Sequence, residues 1–211
     1  MKPVSKTNIS LLLVSALLIA GASCQKTGSI FNSSGDVGDP KLKGSFSFDN
    51  STGVYTLSGA GTNMWLQTDE FFMAWKKISG DFSLSAKVAF EGEGVNAHRK
   101  MGLIIRESLA GVSVYADVAI HGDGLTSLQY RDATAGETKE VVAQHKGADH
   151  ITLERIGERI VMKTGIGGFT DVASGEIELN LPAECYVGLF VCSHEEDVLE
   201  TAHFSEVRFK P

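Results

Sequence analysis

The stretch HRKMGLIIRES (98–108), followed after a short link by VYADVAIHGDGLTSLQYRD (114–132), decides the fold. It reads as three strands, the last two forming a hairpin. In the first arm Val114, Ala116, Val118 and Ile120 alternate with Tyr115, Asp117, Ala119 and His121. In the second, Leu128 and Tyr130 alternate with Ser127, Gln129 and Arg131. Such period-two alternation marks half-buried strands. A two-residue loop would set Asp117 opposite Leu128 and mix the faces. A three-residue loop, Gly122-Asp123-Gly124, sets Asp117 opposite Gln129 and Tyr115 opposite Arg131, so that like faces like. That loop length calls for a residue in the left-handed region, which Gly124 adopts without strain. One face is then apolar and packs inward. The other carries Tyr115, Asp117, His121, Gln129 and Arg131, and is expected to face outward as the candidate site.

The rest of the chain repeats the strand pattern. Gly44 to Asp49 and Val54 to Leu57 form a hairpin around Asn50-Ser51-Thr52-Gly53. A loop then leads into the aromatic-rich segment ending MAWKKI. From Asp81 to Phe90, Phe82, Leu84, Ala86, Val88 and Phe90 share one face, against Ser83, Ser85 and Lys87 on the other. Thr138 to Ala143 reads as a strand. ITLERIGERIVMKT (151–164) folds back at Gly157-Glu158, a Gly-first turn suited to type II′, which sets Leu153 opposite Met162. Glu176–Leu179, Tyr186–Ser193 and Thr201–Phe209 complete the set, with Glu195-Glu196-Asp197 as a charged turn. No stretch longer than a turn or two has helical periodicity. Many strands at short spacing imply an all-β, two-sheet antiparallel β-sandwich.

The 211 residues suffice for one such domain, and 23 glycines against 4 prolines suit its many tight turns. At the N-terminus Lys2 and Lys6 precede an apolar run, Ile9 to Ala20, too short to span a bilayer comfortably. Gly21-Ala22-Ser23-Cys24 follows it. This resembles a bacterial lipoprotein leader (1–23) with Cys24 as the lipid acceptor; the alternative is a secretory leader cleaved after Ala20-Gly21-Ala22. Residues 24–35 then read as a polar tether and 36–211 as the domain. The formal charge of −7 becomes −9 without the two leader lysines, and no basic run exists, which argues against nucleic acid as a partner. Cys185 and Cys192 both fall in CYVGLFVC. If that segment is one strand, a rise of about 3.3 Å per residue separates them by roughly 20 Å, far beyond the ~7 Å Cα span of a disulfide.

DVGDPKLKGSFSFD (36–49), YTLSGAGTNMWLQTDEFFMAWKKISGDFSLSAKV (55–88) and KMGLIIRESL (100–109) resemble, in that order, the concanavalin A-like (laminin-G-like) jelly-roll domains of secreted bacterial proteins. The resemblance covers about residues 36–209. It implies a jelly roll whose concave sheet carries a sugar. It implies no particular reaction, because binding modules, lectins and glucanases share the architecture.

Sugars are held by aromatic platforms and by planar polar groups that pair with vicinal hydroxyls. Residues of these types are Trp65, Glu70, Arg106, Tyr115, Asp117, His121, Gln129, Arg131 and His194, with Asp69 beside Glu70. They make up the carbohydrate-binding set. Calcium at Asp36 and Asp39 is a further reading, with a polar strand lead-in as its alternative. His98, His121, His194 and His203 lack the spacing of metal ligands. A retaining glycosidase on this type of sandwich places carboxylates on alternate residues of one strand; no such run exists, and Glu91 and Glu93, each followed by a glycine, read as a turn at the end of a strand. Three functional classes remain: a cell-envelope lipoprotein that binds carbohydrate, a glycan-cleaving enzyme using residues such as Glu70, Asp117 and His121, and an adaptor that binds a partner protein.

Overall fold

The computed structural model describes residues 28–167 and 172–211. The leader and Cys24 lie outside the described residues. The described residues form fourteen strands: β1 (Ser33–Val37), β2 (Ser45–Asp49), β3 (Val54–Gly61), β4 (Phe71–Ser79), β5 (Phe82–Phe90), β6 (Lys100–Arg106), β7 (Tyr115–His121), β8 (Thr126–Arg131), β9 (Lys139–Val142), β10 (His150–Ile156), β11 (Arg159–Gly165), β12 (Val172–Glu178), β13 (Glu184–Cys192) and β14 (Glu195–Lys210). They form two seven-stranded sheets, ordered β1-β4-β13-β6-β7-β8-β9 and β12-β11-β10-β5-β14-β3-β2, with every pairing antiparallel.

The register of the decisive hairpin is the one its loop requires. Tyr115 pairs with Arg131, Asp117 with Gln129 and Val118 with Leu128. Gly124 closes the loop at φ +84°, a conformation a residue with a Cβ would adopt only under strain. At the second turn Leu153 pairs with Met162, and Gly157 sits at φ +65°.

Alternation divides the β6–β8 residues between two environments. Leu103, Ile105, Ala116, Val118, Ile120 and Leu128 join Leu57, Phe82, Leu84, Leu153, Met162 and Phe204 in the core between the sheets. Ile104, Tyr115 and Ala119 point the other way, into a second cluster with Met64, Phe71, Met73, Phe190 and Cys192. This second cluster lies on the outer face of the first sheet, and it exists because the β3–β4 loop crosses over that face.

Two expected boundaries shift. Of the segment read as a tether (24–35), the described residues are already part of the fold by its end: Phe31 is buried, and Ser33 pairs with Trp75 at the sheet edge. Glu195-Glu196-Asp197 opens β14 through a register shift between Glu195 and Glu200, instead of forming a separate turn. Cys185 and Cys192 are both free and buried in β13, their odd spacing placing one in each cluster.

Candidate functional site

The face expected to be open is closed at one end. In the β3–β4 loop Asp69 is wholly buried, and its carboxylate takes Arg106 Nη1 at 2.8 Å, Arg131 Nη1 at 2.9 Å and Arg131 Nη2 at 2.7 Å. The remaining guanidinium nitrogens find main-chain carbonyls. Arg106 Nε and Nη2 donate to Ser108 and Ala110, and Arg131 Nε donates to Gly136. Both guanidinium groups lie over the Tyr115 ring, at 5.4 and 5.0 Å from its centroid. The Tyr115 hydroxyl donates to the Met64 carbonyl at 2.8 Å. Leu66 is held at φ +63°, and its carbonyl accepts from Arg131 Nη2, Thr138 Oγ1 and the Thr138 N–H. A non-glycine residue in that conformation persists where its surroundings over-determine it.

Arg106, Tyr115 and Arg131 therefore latch the β3–β4 loop to the sheet, which corrects the expectation that they stand on a solvated face. Tertiary structure overrides alternation here: a strand's polar face can be covered by a loop that brings the matching charge. Glu70 points elsewhere, its carboxylate accepting from the Thr62 N–H and hydroxyl.

The other end of the same face is different. Asn63, Trp65, His98, Lys100, His121, Leu125, Gln129, Glu140 and His194 line a pocket of about 250 Å³. Four of the expected residues, Trp65, His121, Gln129 and His194, meet there. Trp65 is half-buried in the β3–β4 loop and is not a core residue. Register supplies the floor, since Lys100 pairs with His121 and Ile104 pairs with Asp117, which pairs in turn with Gln129. Gly102 lies between Lys100 and Ile104, where a Cβ would strike the Val118 carbonyl and the Phe190 ring.

Five buried polar atoms at this end have no hydrogen-bond partner among the described residues: both carboxylate oxygens of Asp117, His121 Nδ1, Ser127 Oγ and Gln129 Oε1. Native interiors satisfy the large majority of such groups, so a cluster of orphans beside a pocket calls for water or a ligand. Gln129 Nε2 lies 3.2 Å from His121 Nε2. If the amide donates, the imidazole carries its proton on Nδ1, leaving a donor there and an acceptor at Gln129 Oε1. If the amide is turned over, donor and acceptor exchange places. Either arrangement leaves one unpaired donor and one unpaired acceptor on this residue pair.

Burial sets the ionisation. It pushes the Asp117 carboxyl well above the usual carboxylate range, against the pull of nearby Lys100. Burial, aided by Lys100, brings His121 down to about 3 and lowers His194 as well. His121 is thus a neutral imidazole at neutral pH, able to donate and accept.

His194 belonged to the expected set, whereas His98 was visible in the sequence only as a scattered histidine. Their rings lie 5.5 Å apart, with His98 6.0 Å from His121. His203 is elsewhere, between Thr56 and Glu91. Among the described residues no group of His, Cys, Asp or Glu is arranged to hold a metal ion. At the calcium reading, Asp36 accepts from the Gly44 N–H at 3.0 Å, and Lys43 Nζ lies 3.7 Å from Asp36 and 3.8 Å from Asp39. The charge of both carboxylates is thus met by an exposed lysine, an arrangement that matches the polar lead-in alternative.

Sequence reasoning missed Asn63, Lys100, Leu125, Ser127 and Glu140. One signal was present for Lys100, which stands at even spacing from Arg106 and therefore on the same face.

The fold is a concanavalin A-like jelly-roll sandwich. Similar solved structures include a functionally unknown protein from Saccharomyces cerevisiae (TM-score 0.62, 17% identity, covering 83% of this chain and 95% of that one). The carbohydrate-binding module CBM66 from Bacillus subtilis (0.54, 15%, covering 86% and 98%) and lectin II from Ulex europaeus (0.53, 10%, covering 85% and 98%) are also similar. No protein-family model matches the chain, and no curated protein matches it.

Proposed function

We propose that this chain is a cell-envelope lipoprotein whose sandwich domain binds carbohydrate in the pocket bounded by Trp65, Lys100, His121, Gln129 and His194. The observation that carries the reading is the set of unpartnered buried polar atoms of Asp117, His121, Ser127 and Gln129, gathered beside a pocket with a tryptophan in its wall. An indole covers the apolar face of a sugar ring, while donor–acceptor pairs take its hydroxyls. The volume lies just below the usual range for small-molecule clefts of about 300–1,000 Å³, which suits one sugar unit held by its edge or end. Two proteins that share the fold are described as a carbohydrate-binding module and a lectin, which agrees with this reading.

Binding is favoured over hydrolysis because the pocket lining contains a single carboxylate, Glu140, whereas the two-carboxylate glycosidase mechanisms need a facing pair. Asp117 lies beneath, with burial favouring its protonated form, and Glu70 is tied to Thr62.

A glycan array probed with the domain tests the reading, each hit being titrated against wild type and incubated to look for cleavage products. Saturable binding without products is expected; no binding to any glycan would refute it. Anchoring is tested separately: Cys24→Ser should move the protein from the membrane fraction to the soluble one, and an N-terminus at Ser23 in native material would contradict lipidation.

A further inference from the structure

Lys100 is 2% exposed, yet its ammonium makes no ion pair with any described residue. Its one hydrogen bond goes to Asn63 Oδ1 at 3.2 Å, and an ammonium has three donors. Buried charges in folded proteins are ordinarily paired, because an isolated one is costly.

The acids around it are otherwise committed. Asp69 is held between Arg106 and Arg131. Asp117 lies beyond ion-pair distance, and burial favours its protonated form. Glu140 is exposed at the pocket rim, where water screens it. The three imidazoles add no negative charge. The deepest charged group of the pocket is therefore a cation with two donors free.

We infer that the pocket selects an acidic sugar, with the carboxylate of a uronic acid seated on Lys100 Nζ and the ring hydroxyls on His121 and Gln129. This rests on the carbohydrate reading above and narrows it to one substrate class. The unpaired donor at the His121–Gln129 pair can take the second carboxylate oxygen or an adjacent hydroxyl, and Trp65 remains for the ring's apolar face. A neutral sugar would leave the ammonium buried with no counter-charge.

The test compares matched ligands that differ only in charge. Oligogalacturonides, oligoglucuronides and oligomers of guluronate or mannuronate are titrated calorimetrically into the domain, each beside its own methyl ester. At least one acid should bind tenfold or more tightly than its ester, as expected for a buried charge-assisted hydrogen bond. That preference should disappear in Lys100→Met, which removes the charge while keeping an unbranched apolar chain, and persist in Lys100→Arg. Melting curves of both variants report whether the fold is kept, and the acid–ester comparison on wild type needs no variant. If neutral sugars or the esters bind as well as the acids, the inference fails while the carbohydrate reading stands. The inference also fails if Lys100→Met keeps the acid preference, and Lys100 is then structural. Failure of every acidic and neutral glycan to bind overturns both.

Discussion

Two ends of one sheet face, built from the same three strands, treat their polar groups in opposite ways. At the Arg106–Tyr115–Arg131 end every guanidinium nitrogen has an acceptor, and a single aspartate from a crossing loop balances two arginines. At the Lys100–His121–Gln129 end a carboxyl group, an imidazole nitrogen, a hydroxyl and an amide oxygen have no partner, and a lysine has no counter-ion. The difference lies in what covers each end. The β3–β4 loop brings Asp69 down onto the first end and lifts Trp65 to the wall of a pocket at the second. A filled polar cluster holds the fold together; on the proposed reading, the unfilled one beside a cavity takes a ligand.

If that contrast is right, the two ends respond differently to substitution. The largest effect is expected at Asp69. Asp69→Ala leaves two buried arginines uncompensated and should cost about 3–5 kcal/mol, read by chemical denaturation. A loss below about 1 kcal/mol would mean that the latch is not holding the loop.

Asp117 should behave in the opposite sense. Its folded-state pKa is raised by burial, so above the ordinary aspartate range the native state binds the extra proton. Stability therefore falls as pH rises from that value toward the folded one. His121 opposes this in acid: with a folded value of about 3 against 6.5, the unfolded chain holds the extra proton between those limits, and stability rises with pH there. Above pH 6.5 the His121 contribution no longer changes with pH. Asp117→Asn should remove the fall in stability that the carboxyl causes as pH rises above the ordinary aspartate range, and so gain stability relative to wild type on the alkaline side of that fall. Parallel wild-type and variant curves would show that the carboxyl is not held protonated.

Trp65→Ala should change stability least, by about 1 kcal/mol or less, because the ring is half-buried on a loop. Glycan affinity should nonetheless drop at least tenfold. An unfolded variant would assign Trp65 to the latch.

These two ends were unequally legible in the sequence. The hairpin register was readable because a three-residue loop and period-two alternation each admit one pairing, and they agree. The latch was not, because nothing local says that a loop some forty residues before Arg106 returns to lay Asp69 across it; loop paths are decided by tertiary contacts. Lys100 was hidden for a related reason. β6 and β7 are joined by residues 107–114, too long a link for turn chemistry to fix their register. His98 escaped because spacing rules detect only neighbours on one element. His98 and His194 meet because β13, far away in sequence, pairs with β6. The fold class needed only local patterns, whereas the site needed strand order.

The central claim is that ligand enters the unfilled end and leaves the filled end untouched. Backbone and side-chain amide NMR spectra of the domain, recorded while a glycan identified on the array is titrated in, test it most directly. The account predicts shifts in the Trp65 indole N–H, the Gln129 side-chain amide and the amides of Lys100, His121 and His194, with the guanidinium signals of Arg106 and Arg131 unmoved. Shifts concentrated at Arg106, Tyr115 and Arg131, or on the β2–β12 sheet, would contradict it.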